Sequence, residues 1–219
     1  MTNPAPFIDH TLLAPTATRE QIESLCEEAV EYGFATVCVP PVHVPVAVNS
    51  LYGSAVDVCS VVGFPCGYSL LRTKIQETTD LIAAGAGEID MVIQIGNLLV
   101  GEFGRVEDEI AQVVLAAQAV PVKVIIECCY LSDDLKRQAA ELVIRAGAAY
   151  VNTSTGFGPG GARLEDVELL AHYVSGRIGV KAAGGIRTLQ DCQCFLAAGA
   201  TRIGSRSGVA ICREWLSST

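Results

Sequence analysis

Short apolar runs rich in β-branched residues alternate with longer stretches of helical spacing along almost the whole chain. The runs PFIDH (6–10), ATVCV (35–39), DVCSVVGF (57–64), EIDMVIQ (88–94), VKVIIE (122–127), AYVNT (149–153), IGVKAA (178–183) and TRIGS (201–205) predict eight strands. Several are nearly continuous in apolar character, which suits parallel strands covered on both faces. Between them, Ile22, Leu25, Cys26, Ala29 and Val30, and later Leu135, Ala139, Leu142 and Val143, recur at helical steps and predict amphipathic helices. Thr18 followed by Gln21 reads as a capping box at the first helix start. Gly33, Gly85, Gly147 and Gly199 each precede a strand and read as left-handed helix stops. A strand, helix, glycine unit repeated eight times predicts an α/β fold of the (β/α)8 TIM-barrel type, with a doubly wound open sheet as the alternative.

The chain has 219 residues, half of them apolar, and no Pro-rich linker, charge block or low-complexity segment divides it. One barrel domain over 1–219 is therefore expected. With 18% charged residues and a formal net charge of −9, it offers no broad basic field for a phosphate backbone, which argues against a nucleic-acid partner. No apolar run is long enough to span a bilayer, and the start MTNPAPFIDHT lacks a basic stretch leading into an apolar one, so a cytoplasmic protein without membrane contact is expected. The nine cysteines form no CxxC pair and read as buried free thiols. His10, His43 and His172 are scattered, so no metal site is expected.

In such a barrel, polar residues at the C-terminal strand ends face the active-site mouth. Collecting them here gives Asp9, His10, Asp90, Gln94, Lys123, Glu127, Asn152, Thr153, Lys181 and Ser205. Only four lysines exist, Lys74 and Lys136 on helical patterns and Lys123 and Lys181 inside strands. A charge inside an apolar strand is costly unless paired or functional, so Asp90, Lys123 and Lys181 read either as a proton-transfer network or as a structural ion pair. AAGGIR (182–187) and IGSRSG (203–208) follow the seventh and eighth strands, where barrels commonly cradle a phosphate on backbone N–H groups; tight turns alone would also use these glycines. A small phosphorylated ligand is the inference. GFGPGG (156–161) matches the dinucleotide fingerprint in letters, but a proline interrupts it and no dinucleotide-binding half follows.

The segments IDHTLL, VVGFPCG, EIDMVIQIG, VKVIIE, TSTGFGPGGA, VKAAGGIRT and GATRIGSRSG, in that order, resemble the short bacterial type of 2-deoxyribose-5-phosphate aldolase. The resemblance implies a class I aldolase on a (β/α)8 barrel, without metal or organic cofactor, that reversibly splits 2-deoxyribose 5-phosphate into glyceraldehyde 3-phosphate and acetaldehyde. It implies a Schiff-base lysine in the sixth strand, a helper lysine in the seventh and a proton-shuttling aspartate in the fourth. By position the aspartate is Asp90 and the helper is Lys181, while Asn152 stands at the nucleophile's position. Substrate and phosphate binding is expected from Lys123, Thr155, Gly184, Gly185, Gly204, Ser205, Arg206 and Ser207. Ala14, Pro40 and Arg206 also depart from the family pattern around the mouth.

An amide nitrogen has no basic lone pair and cannot form an imine. Three readings follow: an aldolase with its nucleophile absent or replaced by Lys181, a phosphosugar-binding relative without lyase activity, or a divergent lyase using Asp90 and Lys181. With no second ammonium to depress it, Lys181 is expected near the ordinary value of about 10.4. The expected partners are a small phosphorylated sugar or aldehyde and, by analogy with barrels of this size, a second copy in a homodimer.

Overall fold

The structure is a computed structural model that describes residues 2–218. Eight parallel strands, β1 (Ile8–Thr11), β2 (Thr36–Val39), β3 (Asp57–Val62), β4 (Glu88–Val92), β5 (Val122–Ile125), β6 (Tyr150–Asn152), β7 (Gly179–Ala183) and β8 (Arg202–Ser205), pair in chain order. β8 pairs back with β1, so the sheet closes into a barrel and the open-sheet alternative is excluded. Each predicted run contains one of these strands. The runs were longer because their ends lie beyond the ladder, where the chain turns into loops.

The helices are α1 (Arg19–Tyr32), α2 (Val44–Ser50), α3 (Leu71–Ala83), α4 (Ile95–Leu99), α5 (Phe103–Ala117), α6 (Asp133–Arg145), α7 (Leu164–Val174), α8 (Leu189–Ala197) and α9 (Gly208–Ser217). The Thr18–Gln21 capping box starts α1, and Gly33 ends it at φ 72°, where a side chain would be strained. Gly85, Gly147 and Gly199 also take positive φ. Ile22, Leu25, Cys26 and Ala29 are buried as their spacing predicts, whereas Val30 lies on the solvent side of α1.

Strand residues alternate between two interiors. Ile8, Val37, Val58, Ile89, Val122, Val151, Val180 and Ile203 pack outward against the helices in the main apolar core. The intervening positions, including Asp9, Cys59, Asp90, Lys123, Asn152, Lys181 and Arg202, turn into the barrel, as a two-residue period requires. The barrel centre is therefore charged, while the shell between sheet and helices is apolar.

All four lysines are buried. Lys74 donates to Glu109 at 2.7 Å and to the carbonyls of Gly67 and Val92 at 2.6 Å each, tying α3 to α5. Lys136 pairs with Asp166 at 2.5 Å, joining α6 to α7. Burial of a lysine therefore does not by itself mark chemistry in this chain. Six cysteines are buried as expected, but Cys66, Cys129 and Cys194 are exposed.

Candidate active site

The charged residues inside the barrel form one connected network. Lys181 Nζ on β7 lies 2.5 Å from Asp9 Oδ2 and 2.6 Å from Asp90 Oδ2. Lys123 Nζ on β5 lies 2.7 Å from Asp90 Oδ1, 2.7 Å from Glu88 Oε2 and 3.7 Å from Asp9 Oδ2. Arg202 on β8 bonds both Asp9 and Glu88, at 2.5 and 2.9 Å. Three carboxylates thus face three cations and the formal charges cancel. Such a buried cluster survives only when each charge is met by others.

This geometry sets the direction in which each group's proton affinity moves. Burial pushes the Asp9 and Asp90 carboxyls up, but the neighbouring cations outweigh it and hold both below the usual carboxylate range. Burial pulls the Lys181 and Lys123 ammonium groups down, but the carboxylates outweigh it and hold both above the ordinary lysine value. Lys181 therefore does not sit near 10.4 as expected from the sequence. The two acids are depressed on folding, so their stabilisation is complete above an unfolded value near 3.9 and is lost as pH falls through the folded values. The lysines are raised, so theirs is complete below about 10.4 and is lost as pH rises through the folded values. Urea-unfolding free energy should be flat in these contributions between about pH 5 and 9 and fall steeply below about pH 4. A free energy unchanged down to pH 3 would contradict the network.

Above the network opens a cavity of about 400 Å³ at the C-terminal end of the strands. Asp90, Asn152 and Lys181 are on its wall, together with Thr155, Gly184, Gly185, Gly204, Ser205, Arg206 and Ser207, so the structure brings these sequence-predicted positions into one place. Asn152 is buried opposite Lys181 in the β6–β7 register, and its Oδ1 accepts from Ser154 N at 3.4 Å. Gly184 takes φ 89°, and a Cβ there would stand 3.0 Å from Gly161 Cα, so the loops after β6 and β7 touch through two glycines. Ser205 Oγ donates to Ile186 O at 2.8 Å and accepts from Ser207 N at 2.9 Å, joining the loops after β7 and β8.

Lys123, expected among the binding residues, lies apart from the others. It is wholly buried, is not on the cavity wall, and spends its charge on Asp90 and Glu88 beneath the cavity floor. Its register partner Asp90 is on the cavity wall, and Lys123 reaches that carboxylate from behind it. His10 has outward parity and takes a hydrogen-bonding place behind the strand: Nε2 is 2.7 Å from Glu28 on α1 and the ring lies tilted against Phe34 with centroids 4.7 Å apart. Gln94 caps α4 by accepting from Asn97 N, and Thr153 Oγ1 bonds the backbone of Ala183.

Sequence reasoning passed over other wall residues. Arg187, within AAGGIR, stands with Arg206 on the cavity wall, and both are exposed. Phe64 and Phe157 meet edge to face at 5.2 Å on the wall. Glu88 and Arg202 complete the network from the starts of their strands, where no pattern announces them. Among the described residues, one group of three could approach a cation together: Cys38, Cys59 and Asp90 have ligand atoms within 4.8 Å of one another. Lys123 Nζ, 3.2 Å from Cys59 Sγ and 2.7 Å from Asp90, already supplies the positive charge there.

Residues 5–218 match the model of the DeoC/LacD family aldolases. The chain belongs to that family. Deoxyribose-phosphate aldolase of Caldanaerobacter subterraneus is 50% identical over 216 residues, covering 97% of this chain and 94% of the relative. The enzyme of that name from Staphylococcus saprophyticus is 52% identical over 209 residues, with 95% of each chain covered. Among solved structures, the deoxyribose phosphate aldolase of Aeropyrum pernix, described as a unique tetramer, superposes with a TM-score of 0.91 at 35% identity, covering 99% of this chain and 92% of that one. The deoxyribose-phosphate aldolase resemblance read from the seven segments is thereby upheld. No helix of the described residues is long and apolar enough to cross a membrane.

Proposed function

We propose that the cavity binds 2-deoxyribose 5-phosphate as a class I aldolase site of carbohydrate breakdown, and that Schiff-base cleavage is impaired because Asn152 stands where the nucleophilic lysine is needed. The observation carrying this reading is the Asn152 amide on the cavity wall beside an intact Lys181–Asp90 pair at 2.6 Å. Cleavage to glyceraldehyde 3-phosphate and acetaldehyde requires a neutral amine to attack the carbonyl and an iminium to accept the electrons of the breaking carbon–carbon bond. Asn152 offers no such amine. Lys181 is the remaining primary amine on the wall, and two carboxylates hold its proton. Takeover by Lys181 would cost the separation of a buried ion pair, which favours slow turnover or binding without cleavage.

In this proposal Asp90 and Lys181 move and hold protons. Thr155, Gly184, Gly185, Gly204, Ser205, Arg206 and Ser207 hold the sugar phosphate, with Arg206 able to bond phosphate oxygens through two N–H groups. No metal or organic cofactor is invoked. A cytoplasmic protein and a homodimer remain part of the proposal, and light scattering would separate a dimer from the tetramer described for the Aeropyrum pernix relative.

The native protein tests the proposal. Ligand at about 100 times its Kd should stabilise the fold by roughly 2.7 kcal/mol and raise the melting temperature. Acetaldehyde followed by borohydride should leave no adduct on Lys181. A melting temperature indifferent to the sugar phosphate would remove the ligand assignment, and a reduced adduct on Lys181 would show that the displaced amine has taken over.

A further inference from the structure

The β5–β6 ladder does not end regularly. Ile126 N donates to Asn152 O at 3.0 Å and Cys128 N to Thr153 O at 2.8 Å, so amides two residues apart meet carbonyls only one residue apart. Glu127 is the extra residue of a β-bulge, a device that bends a strand and re-aims a side chain. It sits at φ 54° and ψ 68°, the left-handed region that a side chain enters only at a cost.

The conformation has a visible consequence. The Glu127 carboxylate accepts from Thr155 N at 3.2 Å to each oxygen, and Thr155 Oγ1 donates to Glu127 Oε2 in a short bond. Thr155 Oγ1 in turn accepts from Phe157 N at 3.0 Å. Glu127 is only 2% exposed, and among the described residues no lysine, arginine or histidine pairs with it. A buried carboxylate met chiefly by loop donors differs from the other buried acids here, which balance cations. Burial pushes its carboxyl up, and the bonds from Thr155 pull it back.

We propose that Glu127 is a positioning residue: the bulge beside Asn152 aims its carboxylate at Thr155 and so fixes the segment 152–157 against a ligand in the cavity. The ligand clause rests on the phosphosugar reading above; the hold on the segment does not. Asn152, Thr155 and Phe157 are all on the cavity wall; the Glu127 side chain holds Thr155 directly and Phe157 through Thr155 Oγ1, while the backbone of the bulge meets Asn152 O.

Glu127→Gly separates this role from fold maintenance, because glycine adopts the positive φ without strain. Hydrogen exchange followed by mass spectrometry on peptides spanning 152–158, melting temperature, and calorimetric affinity for 2-deoxyribose 5-phosphate are compared for the native chain, Glu127→Gly, Glu127→Ala and Glu127→Gln. Exchange at the Thr155 and Phe157 amides should accelerate at least about tenfold in the Gly and Ala variants, the weight of one hydrogen bond to a charged group, with Kd weakened by a similar factor. The Gly variant should melt above the Ala variant, and Gln, which keeps one acceptor oxygen, should restore most of the protection. Unchanged exchange over 152–158 in Glu127→Gly, or acceleration spread evenly around the barrel, would overturn the proposal. If the native chain binds no sugar phosphate, the phosphosugar reading fails on its own, and the exchange data still decide whether Glu127 holds the segment.

Discussion

Asn152→Lys should raise cleavage of 2-deoxyribose 5-phosphate by at least about 10³-fold, the scale on which covalent catalysis depends on its nucleophile. The new side chain would extend from β6 directly opposite Lys181 in the register. Two ammonium groups that close disfavour double charging, so one amine must have its pKa lowered. Lys181 is held by Asp9 and Asp90, whereas among the described residues no carboxylate hydrogen-bonds the amide at position 152. The amine at 152 is therefore the one that loses its proton and becomes nucleophilic. Release of glyceraldehyde 3-phosphate, followed by a coupled assay, gives the rate, and borohydride with acetaldehyde should trap an adduct on residue 152. An inert variant that folds and binds the sugar phosphate would mean that Arg206 and Ala14, both on the cavity wall, have redirected the pocket.

Lys123→Met should lower the unfolding free energy by about 3–5 kcal/mol, because it strands buried carboxylates rather than removing a ligand contact. In a domain of this size that corresponds to a melting temperature lower by roughly 10 °C. Lys123 lies within 2.7 Å of both Asp90 and Glu88, and its loss leaves three carboxylates facing two cations. Affinity for the sugar phosphate, measured well below the melting temperature, should change far less than stability. The opposite pattern, weak binding with an unaltered melting temperature, would return Lys123 to the substrate-binding set.

These two positions show how far the chain could be read without coordinates. The eight strands were legible because each is a compact, largely apolar run set off by helical periods, and four of them follow a glycine stop. The close association of Asp90, Asn152 and Lys181 was legible for a related reason: strand ends converge once a barrel closes, so three residues far apart in sequence become neighbours. Depth along the barrel axis was not legible. Lys123 and Lys181 look alike as single cations in apolar strands, yet one lies under the floor and the other reaches the cavity. Nor was lysine scarcity a guide, since Lys74 and Lys136 are buried as structural ion-pair partners between helices.

By itself the sequence determined the alternation of elements, the barrel class and the amide at position 152, because local periodicity, turn chemistry and residue identity are properties of short segments. Only the tertiary structure decided that Lys181 is clasped by Asp9 and Asp90, that Lys123 lies off the cavity wall, and that Glu127 points at Thr155. Those outcomes depend on charges and backbone groups brought within 2.5–3.7 Å from strands far apart in the chain, and on a bulge visible only when two strands are paired.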